Sequence, residues 1–169
     1  MADYTSLAIH DIRSYMWESL KNDGILSESE YYADGYTSPL VPIIPSQQIP
    51  EFNNLLPGKL YITYETEMLP VLEQWWITEE VLYLSIISPD YDKINTVINY
   101  FTDIFRRYDE SARDLRSSNI ISDNFIFHYT AINKIKSPAP MKQEGGLRAG
   151  SMSILYSYSR KNNSENRFL

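Results

Sequence analysis

Few residues in this chain combine the residue types and spacings that catalysis or metal binding requires. The sequence contains two histidines, His10 and His128, and neither has a second metal ligand at a characteristic spacing. It contains no cysteine, which excludes disulfides, thiolate nucleophiles and thiolate metal sites. Phosphate-binding loops, dinucleotide fingerprints and the serine-hydrolase elbow are also absent from the sequence. We therefore expect no metal, no cofactor, and packing or surface roles for both histidines.

Two pairs of carboxylates are the remaining candidates for acid–base chemistry. Glu79 and Glu80 are adjacent on a predicted strand, where neighbouring side chains point to opposite faces, so they would not act together on one substrate. Asp90 and Asp92 lie where a helix is predicted to begin, and negative charge is favourable beside that helix end. The sequence offers no catalytic site, and we expect that the protein is not an enzyme.

The stretch at 75–108 has the clearest pattern of secondary structure. Residues 81–87 are almost all apolar and predict a strand that is covered on both faces. Ser88 suits the N-cap and Pro89 the first position of a following helix. The predicted core of this helix recurs at spacings of three and four and comprises Ile94, Val97, Ile98, Phe101, Ile104 and Phe105. The apolar stripe indicates that the helix lies on a sheet.

The remaining elements complete a single α+β domain, an α/β sandwich. Apolar residues at helical spacing predict a first helix at 6–23 that ends at Gly24. Alternating patterns predict further strands at 59–66, 124–135 and 152–158. The order α-β-β-α-β-β predicts a mostly antiparallel sheet with the helices packed on one face. Prolines and glycines at 137–150 predict a projecting hairpin loop. Polar residues at 161–169 predict a frayed tail.

A proline-rich segment at 25–57 interrupts these elements. Five prolines within it block both helix continuation and strand ladders, so the sequence predicts a long extended arm within the domain. The arm is rich in aliphatic and aromatic residues, which disfavours disorder. We expect it to dock on its own domain or on a neighbouring subunit.

Composition and charge narrow the class of function. The 169 residues suffice for one domain, and the 14 tyrosines suit both strands and contact surfaces. A net charge of −7 argues against a protein that binds nucleic acid tightly, since tight binding to the phosphate backbone needs a basic patch. The same charge suits a soluble protein, or a pore wall that repels DNA and lets it slide. No signal peptide or membrane span is evident, so we expect no membrane contact. The absence of cysteine is compatible with a reducing compartment.

Four segments of the chain carry a resemblance to a known family. They are LYITYET, WWITEEVLYLSIIS, DYDKINTVINYFTDIFRRYDESA and SMSILYSYSRK, and together they span 59–161. This pattern resembles the tail terminator (tail completion) proteins of tailed bacteriophages, which also have an N-terminal helix. The resemblance implies a small α/β subunit that forms a homo-hexameric ring on the tail tube and stops tube polymerisation. It carries over no catalytic residue.

The resemblance also implies partners and a location. The ring would contact the tail tube and the neck or connector proteins, with the sheath as an optional further partner. DNA would pass through its lumen without sequence-specific binding. The protein would lie in the tail or neck of the virion after assembly in the host cytoplasm.

A ring subunit needs two unlike adhesive surfaces, because each contact joins one face to a different face of the next copy. We expect the first surface to come from the proline-rich arm and the outward side of the strand at 59–66. The second would come from the tryptophan pair and the loop at 137–150, which could instead contact the tube. The predicted interface residues are Tyr31, Tyr32, Leu40, Ile43, Ile44, Tyr61, Trp75, Trp76, Met141, Leu147 and Arg148.

Two other functions fit the sequence. Another head-to-tail connector ring, such as a stopper or adaptor, would behave similarly but contact a different neighbour. A small cytosolic enzyme or ligand-binding domain would be a monomer or dimer with a concave polar pocket. The sequence shows no convergent polar cluster of the kind that this last class requires.

Overall fold

The computed structural model describes residues 7–46, 52, 54–69, 77–105, 120–141 and 146–161. They include the helices α1 (Ala8–Asn22) and α2 (Tyr91–Ile104) and a short 3-10 helix (Glu28–Tyr31). The strands are β1 (Ile43–Pro45), β2 (Tyr61–Leu69), β3 (Thr78–Ser88), β4 (Phe125–Pro140) and β5 (Arg148–Arg160). These strands form one mixed sheet in the order β1-β2-β3-β5-β4, in which only the β1–β2 pair is parallel. The described chain is therefore α+β, as predicted.

Alternation along the strands sorts the side chains onto two faces of the sheet. On one face, Leu82, Leu84 and Ile86 of β3 lie beside Met152 and Ile154 of β5, and all five are buried. Both helices pack on this face. The periodicity that predicted strands at 59–66 and 81–87 thus places the core between this face and the helices.

The apolar stripe of α2 lies directly on the sheet. Gly150 of β5 permits this close approach, because a Cβ atom at that position would lie 2.8 Å from Cδ1 of Ile98 and 2.9 Å from Cγ2 of Ile94. The stripe predicted from the sequence consists of one half-buried residue, Ile104, and the buried residues Ile94, Val97, Ile98, Phe101 and Phe105.

α1 lies beside α2 and runs antiparallel to it. The Tyr15 hydroxyl of α1 donates to the Ile104 carbonyl at 3.3 Å, near the end of α2. The Tyr100 hydroxyl, one turn earlier on α2, lies 2.5 Å from Oδ2 of Asp23, just past the end of α1. Because the contacts occur in opposite order along the two helices, their directions are opposed. The two tyrosines fix the relative position of the helices.

The proline-rich segment contains an element that the sequence pattern does not predict. β1 pairs with residues 62–64 of β2 and adds a parallel strand to the edge of the sheet. Its three residues are too few for a recognisable alternation, and Pro45 within it argues against a strand by composition. The predicted order α-β-β-α-β-β therefore lacks its first strand, and the sheet is mixed.

The described part of 25–57 packs on the chain's own domain. The buried Tyr31 donates a hydrogen bond from its hydroxyl to the Leu60 carbonyl at 2.8 Å, and its ring meets the edge of Trp17. The carbonyl of the buried Ile43 accepts a bond from Nε of Arg13 at 2.6 Å. These contacts attach the segment to α1 and to the start of β2.

The start of α2 differs from the prediction by two residues. Asp90 is the N-cap, and its side chain accepts a hydrogen bond from the backbone N–H of Asp92 at 2.9 Å. Ser88 is the last residue of β3, and its hydroxyl accepts from the N–H of Asp90 at 3.1 Å. Ser88 is therefore not the cap, and Pro89 lies in the connection. After α1, Gly24 adopts a φ of 70°, as a helix-terminating glycine does.

The β4–β5 hairpin is longer than the sequence predicts. β4 continues to Pro140 and β5 begins at Arg148, so half of 137–150 is strand. The described ends of the turn are joined by a bond from the N–H of Met141 to the Leu147 carbonyl at 3.0 Å. Because β4 is an edge strand, a proline such as Pro138 can lie in it without interrupting a second ladder. Of the predicted tail, residues 162–169 lie outside the described chain.

Candidate interaction surface

We call the sheet face opposite to the helices the open face. Near one end it is covered, because the ring of Phe52 lies 5.3 Å from that of Tyr61 and both residues are buried. The outward side of β2 is therefore not exposed at Tyr61. Further along, polar side chains predominate on this face. They line a groove of about 370 Å³, with Glu65, Tyr83, Ser85, Lys134, Lys136, Ser151 and Ser153 among its lining residues.

Charge is divided across the open face. Glu65 and Glu67 project from β2 on one side, whereas Lys134 and Lys136 project from β4 on the other side. All four side chains are exposed. Glu67 accepts a hydrogen bond from the Tyr83 hydroxyl at 2.9 Å, and this bond raises the pKa of Tyr83 above its ordinary value. The sheet thus has an acidic edge and a basic edge.

A buried hydroxyl lies in the same face. Ser157 of β5 is in register with Glu79 of β3 on one side and Tyr129 of β4 on the other. The Tyr129 hydroxyl donates to Oε1 of Glu79 at 2.5 Å, so the two flanking side chains meet over β5. Ser157 is completely buried, and its Oγ has no hydrogen-bond partner within the described chain.

Glu80 lies on the helix side of the sheet, away from Glu79. It accepts hydrogen bonds from the hydroxyls of Tyr156 and Tyr158, and the second bond is 2.5 Å long. Burial, followed by these hydrogen bonds, raises the pKa of both tyrosines, so they remain protonated donors at neutral pH. As predicted, the two adjacent glutamates face opposite sides of the sheet, and each has a tyrosine partner.

The other residues considered for chemistry are also accounted for by local structure. Nε2 of His128 lies 2.9 Å from Oγ of Ser159, and His10 is exposed on α1. Asp90 and Asp92 belong to the start of α2. Within the described ranges, no three His, Cys, Asp or Glu side chains are grouped closely enough to hold a metal ion.

The nine predicted interface residues that the structure describes fall into three groups. The buried group lies in the chain's own core, where it has no surface for a neighbour: Tyr31, Ile43, Ile44 and Tyr61. A half-buried group packs against that core: Leu40, Met141 and Leu147. The exposed group comprises Tyr32, at 46% exposure, and Arg148, whose guanidinium lies over the Tyr91 ring. Trp75 and Trp76 lie outside the described residues.

Sequence reasoning missed the charged edges of the sheet. The available signal was the alternation of charge along two predicted strands, in the segments ETE (65–67) and KIK (134–136). Such a pattern places like charges on one face of a strand. It does not reveal that the two strands lie toward opposite edges of one sheet, which depends on the strand order.

Comparisons with known proteins add no family to this description. Neither protein-family models nor curated proteins match the chain. In the described part of the chain, no helix is both long and apolar enough to cross a membrane.

Proposed function

We propose that this chain is the subunit of a tail terminator ring, which caps the tail tube of a tailed bacteriophage and joins it to the neck while DNA passes through. The proposal starts from the resemblance of residues 59–161 to that family. The observation that supports it best is the distribution of exposed surfaces on one sheet. The helices cover one face, whereas part of the open face and two oppositely charged edges remain exposed in the described chain. A closed ring requires unlike surfaces of this kind.

The overall charge is compatible with this role. A net charge of −7 lowers any affinity for the phosphate backbone, so DNA could slide through a ring of such subunits. In this proposal the chain forms a homo-hexamer in the tail or neck of the virion. Its partners are the tail tube and neck proteins, and the sheath where one is present.

The groove on the open face supports a second candidate, a small ligand-binding domain. Its volume of about 370 Å³ is within the range of sites that hold small molecules. Most of its lining residues carry hydroxyl or charged groups, whereas a site that buries a ligand is lined predominantly by hydrophobic and aromatic side chains. We therefore rank it below the ring subunit.

The native mass of the purified protein, measured by light scattering and negative-stain imaging, tests the proposal. The same sample is then mixed with tail tubes that lack their terminator. Closed rings of about six subunits, in solution or on tube ends, together with tubes that no longer elongate, are the expected result. A monomer or dimer that does not bind to tube ends would refute the proposal. Rings that bind neck proteins but not tubes would instead identify a stopper or adaptor.

A further inference from the structure

Two strands expose their outer sides toward opposite ends of the sheet. β4 is the last strand of the order, and no described strand pairs with its outer side. At the other end, the described residues of β1 cover β2 at residues 62–64. The outer side of β2 from 65 to 69 has no strand partner among the described residues. Unpaired N–H and C=O groups in such edges are templates for another strand.

These two edges have opposite charges, and each also exposes an apolar side chain. Glu65 and Glu67 of β2 point to the open face, and Met68 on the opposite face is 66% exposed. Lys134 and Lys136 of β4 point to the open face, and Ile135 on the opposite face is 45% exposed. Glu65 and both lysines have no ion-pair partner within the described chain. The two edges therefore carry opposite charges on the open face, and each also exposes an apolar side chain on the other face.

We propose that β4 of one copy pairs with the outer side of β2 in the next copy, residues 134–136 against 65–67, beyond the bulge between Ile132 and Lys134. β2 and β4 run in opposite directions, because each neighbouring pair from β2 through β3 and β5 to β4 is antiparallel. A second copy with its open face on the same side therefore presents β4 antiparallel to β2. In this register Lys134 lies opposite Glu67 and Lys136 opposite Glu65.

The same charges make the contact selective. Two β4 edges would place lysines against lysines, and two β2 edges would place glutamates against glutamates. Only unlike edges attract, so the contact joins copies head to tail. A head-to-tail contact generates a ring when its rotation closes. The proposal thus specifies the contact between subunits of the proposed ring. It rests on the proposed function only for the assumption that the assembly closes into a ring.

The length of the pairing is limited on both strands. β1 already occupies residues 62–64 of β2. On β4, Pro138 and Pro140 follow the paired residues and lack the N–H that a longer ladder would need. A short pairing of this kind depends strongly on its charged side chains, so added salt should weaken it.

The test uses two charge-reversal variants of the full chain. In Lys134→Glu/Lys136→Glu both edges are acidic, and in Glu65→Lys/Glu67→Lys both edges are basic. Neither variant should self-associate, and the dissociation constant should rise at least about tenfold for each. An equimolar mixture should assemble again, because each acidic β4 then meets a basic β2 and each basic β4 meets an acidic β2. Sedimentation velocity at low salt measures all three samples, and circular dichroism checks their folding.

A matched control changes an exposed lysine away from both edges. Lys93→Glu on α2 makes half of the charge change of the double lysine variant, and it should leave self-association unchanged. Zero-length crosslinking of the wild-type protein should join Lys134 or Lys136 of one copy to Glu65 or Glu67 of another. Mass spectrometry of the crosslinked dimer identifies these pairs.

Several outcomes would overturn the edge contact. They are assembly of either variant alone, failure of the mixture to assemble, and a wild-type chain that stays monomeric at low salt. The two proposals also fail separately. If both charge variants still form rings on tail tubes, the edge contact is wrong and the terminator function stands. If the wild-type chain assembles through these edges but never caps a tube, the edge contact stands and the terminator function is wrong.

Discussion

Gly150 lies so close to Ile98 that a Cβ atom at residue 150 would be 2.8 Å from Cδ1 of the isoleucine. We expect Gly150→Ala to push α2 away from the sheet and to destabilise the protein by about 1 to 3 kcal/mol. Chemical denaturation measures this change. Ile98→Val removes the nearer clashing atom, so the double variant should be more stable than the sum of the single changes predicts. Strict additivity would show that α2 does not press on this glycine.

The buried stripe of α2 allows a direct test of the core. Replacing Ile94, Phe101 or Phe105 by Ala should lower the free energy of unfolding by about 2 to 5 kcal/mol, because each change leaves a cavity. Lys93→Ala, on the exposed side of the same helix, is the control and should change stability by less than about 0.5 kcal/mol. Losses below about 2 kcal/mol at all three core positions would contradict the packing of this helix on the sheet.

The hydrogen bond between Tyr100 and Asp23 joins the two helices. We expect Tyr100→Phe to lower the free energy of unfolding by about 1 kcal/mol, a modest value because Asp23 is exposed. Tyr91→Phe at the start of the same helix serves as the control, since that tyrosine is exposed and its hydroxyl has no bond in the described chain. Equal unfolding curves for the two variants would show that this hydrogen bond does not contribute to stability.

Ser157 buries a hydroxyl without a partner in the described chain. Ser157→Ala removes the polar atom and keeps the packing, so it should raise the free energy of unfolding by about 1 kcal/mol. Ser153→Ala is the comparison, because Oγ of Ser153 accepts a bond from Nδ2 of Asn133 at 3.2 Å. That variant should be neutral or less stable. A destabilised Ser157→Ala would mean that the hydroxyl has a partner after all.

Stability should fall at alkaline pH because of buried tyrosines. Burial is the main cause that raises the pKa of Tyr31, Tyr156 and Tyr158 above the ordinary value of about 10. As pH rises past about 10, the unfolded chain ionises first and binds fewer protons than the folded chain. These tyrosines should therefore leave the free energy of unfolding unchanged below about pH 10 and lower it above that pH. The slope should be largest, up to about 1.4 kcal/mol per pH unit, for the buried Tyr31 and Tyr156.

Urea unfolding between about pH 8 and 11.5 checks this dependence, since the range brackets the pKa of an ordinary tyrosine. Tyr156→Phe should have a shallower alkaline slope, whereas Tyr32→Phe, which changes an exposed tyrosine, should keep the wild-type slope. A wild-type profile without an alkaline decline would contradict the raised pKa values.

The parts of the fold that depend on local pattern could be predicted from the sequence. The stripe of α2, from Ile94 to Phe105, follows from a 3.6-residue periodicity that needs no knowledge of distant residues. β1 could not be predicted, because three residues that include a proline become a strand only by pairing with β2. The burial of Tyr31 has the same origin, since its hydroxyl partner is the distant Leu60.

Four of the predicted interface residues lie in the core for a related reason. Apolar and aromatic residues such as Tyr61 look equally suitable for a core and for an interface, and composition does not distinguish the two. The charges at 65–67 and 134–136 indicate a candidate contact surface only when the strand order is known, because that order places them toward opposite edges of the sheet.

The central β3–β5 ladder has a consequence for how the chain folds. It joins residues that are 60 to 80 positions apart, so a long segment must close before the middle of the sheet can form. Such non-local pairing slows folding compared with a helical bundle of similar size. During synthesis, the apolar strand β3 stays without this neighbour until β5 has left the ribosome. The newly made chain is therefore most exposed to aggregation, and most in need of a chaperone, in that interval.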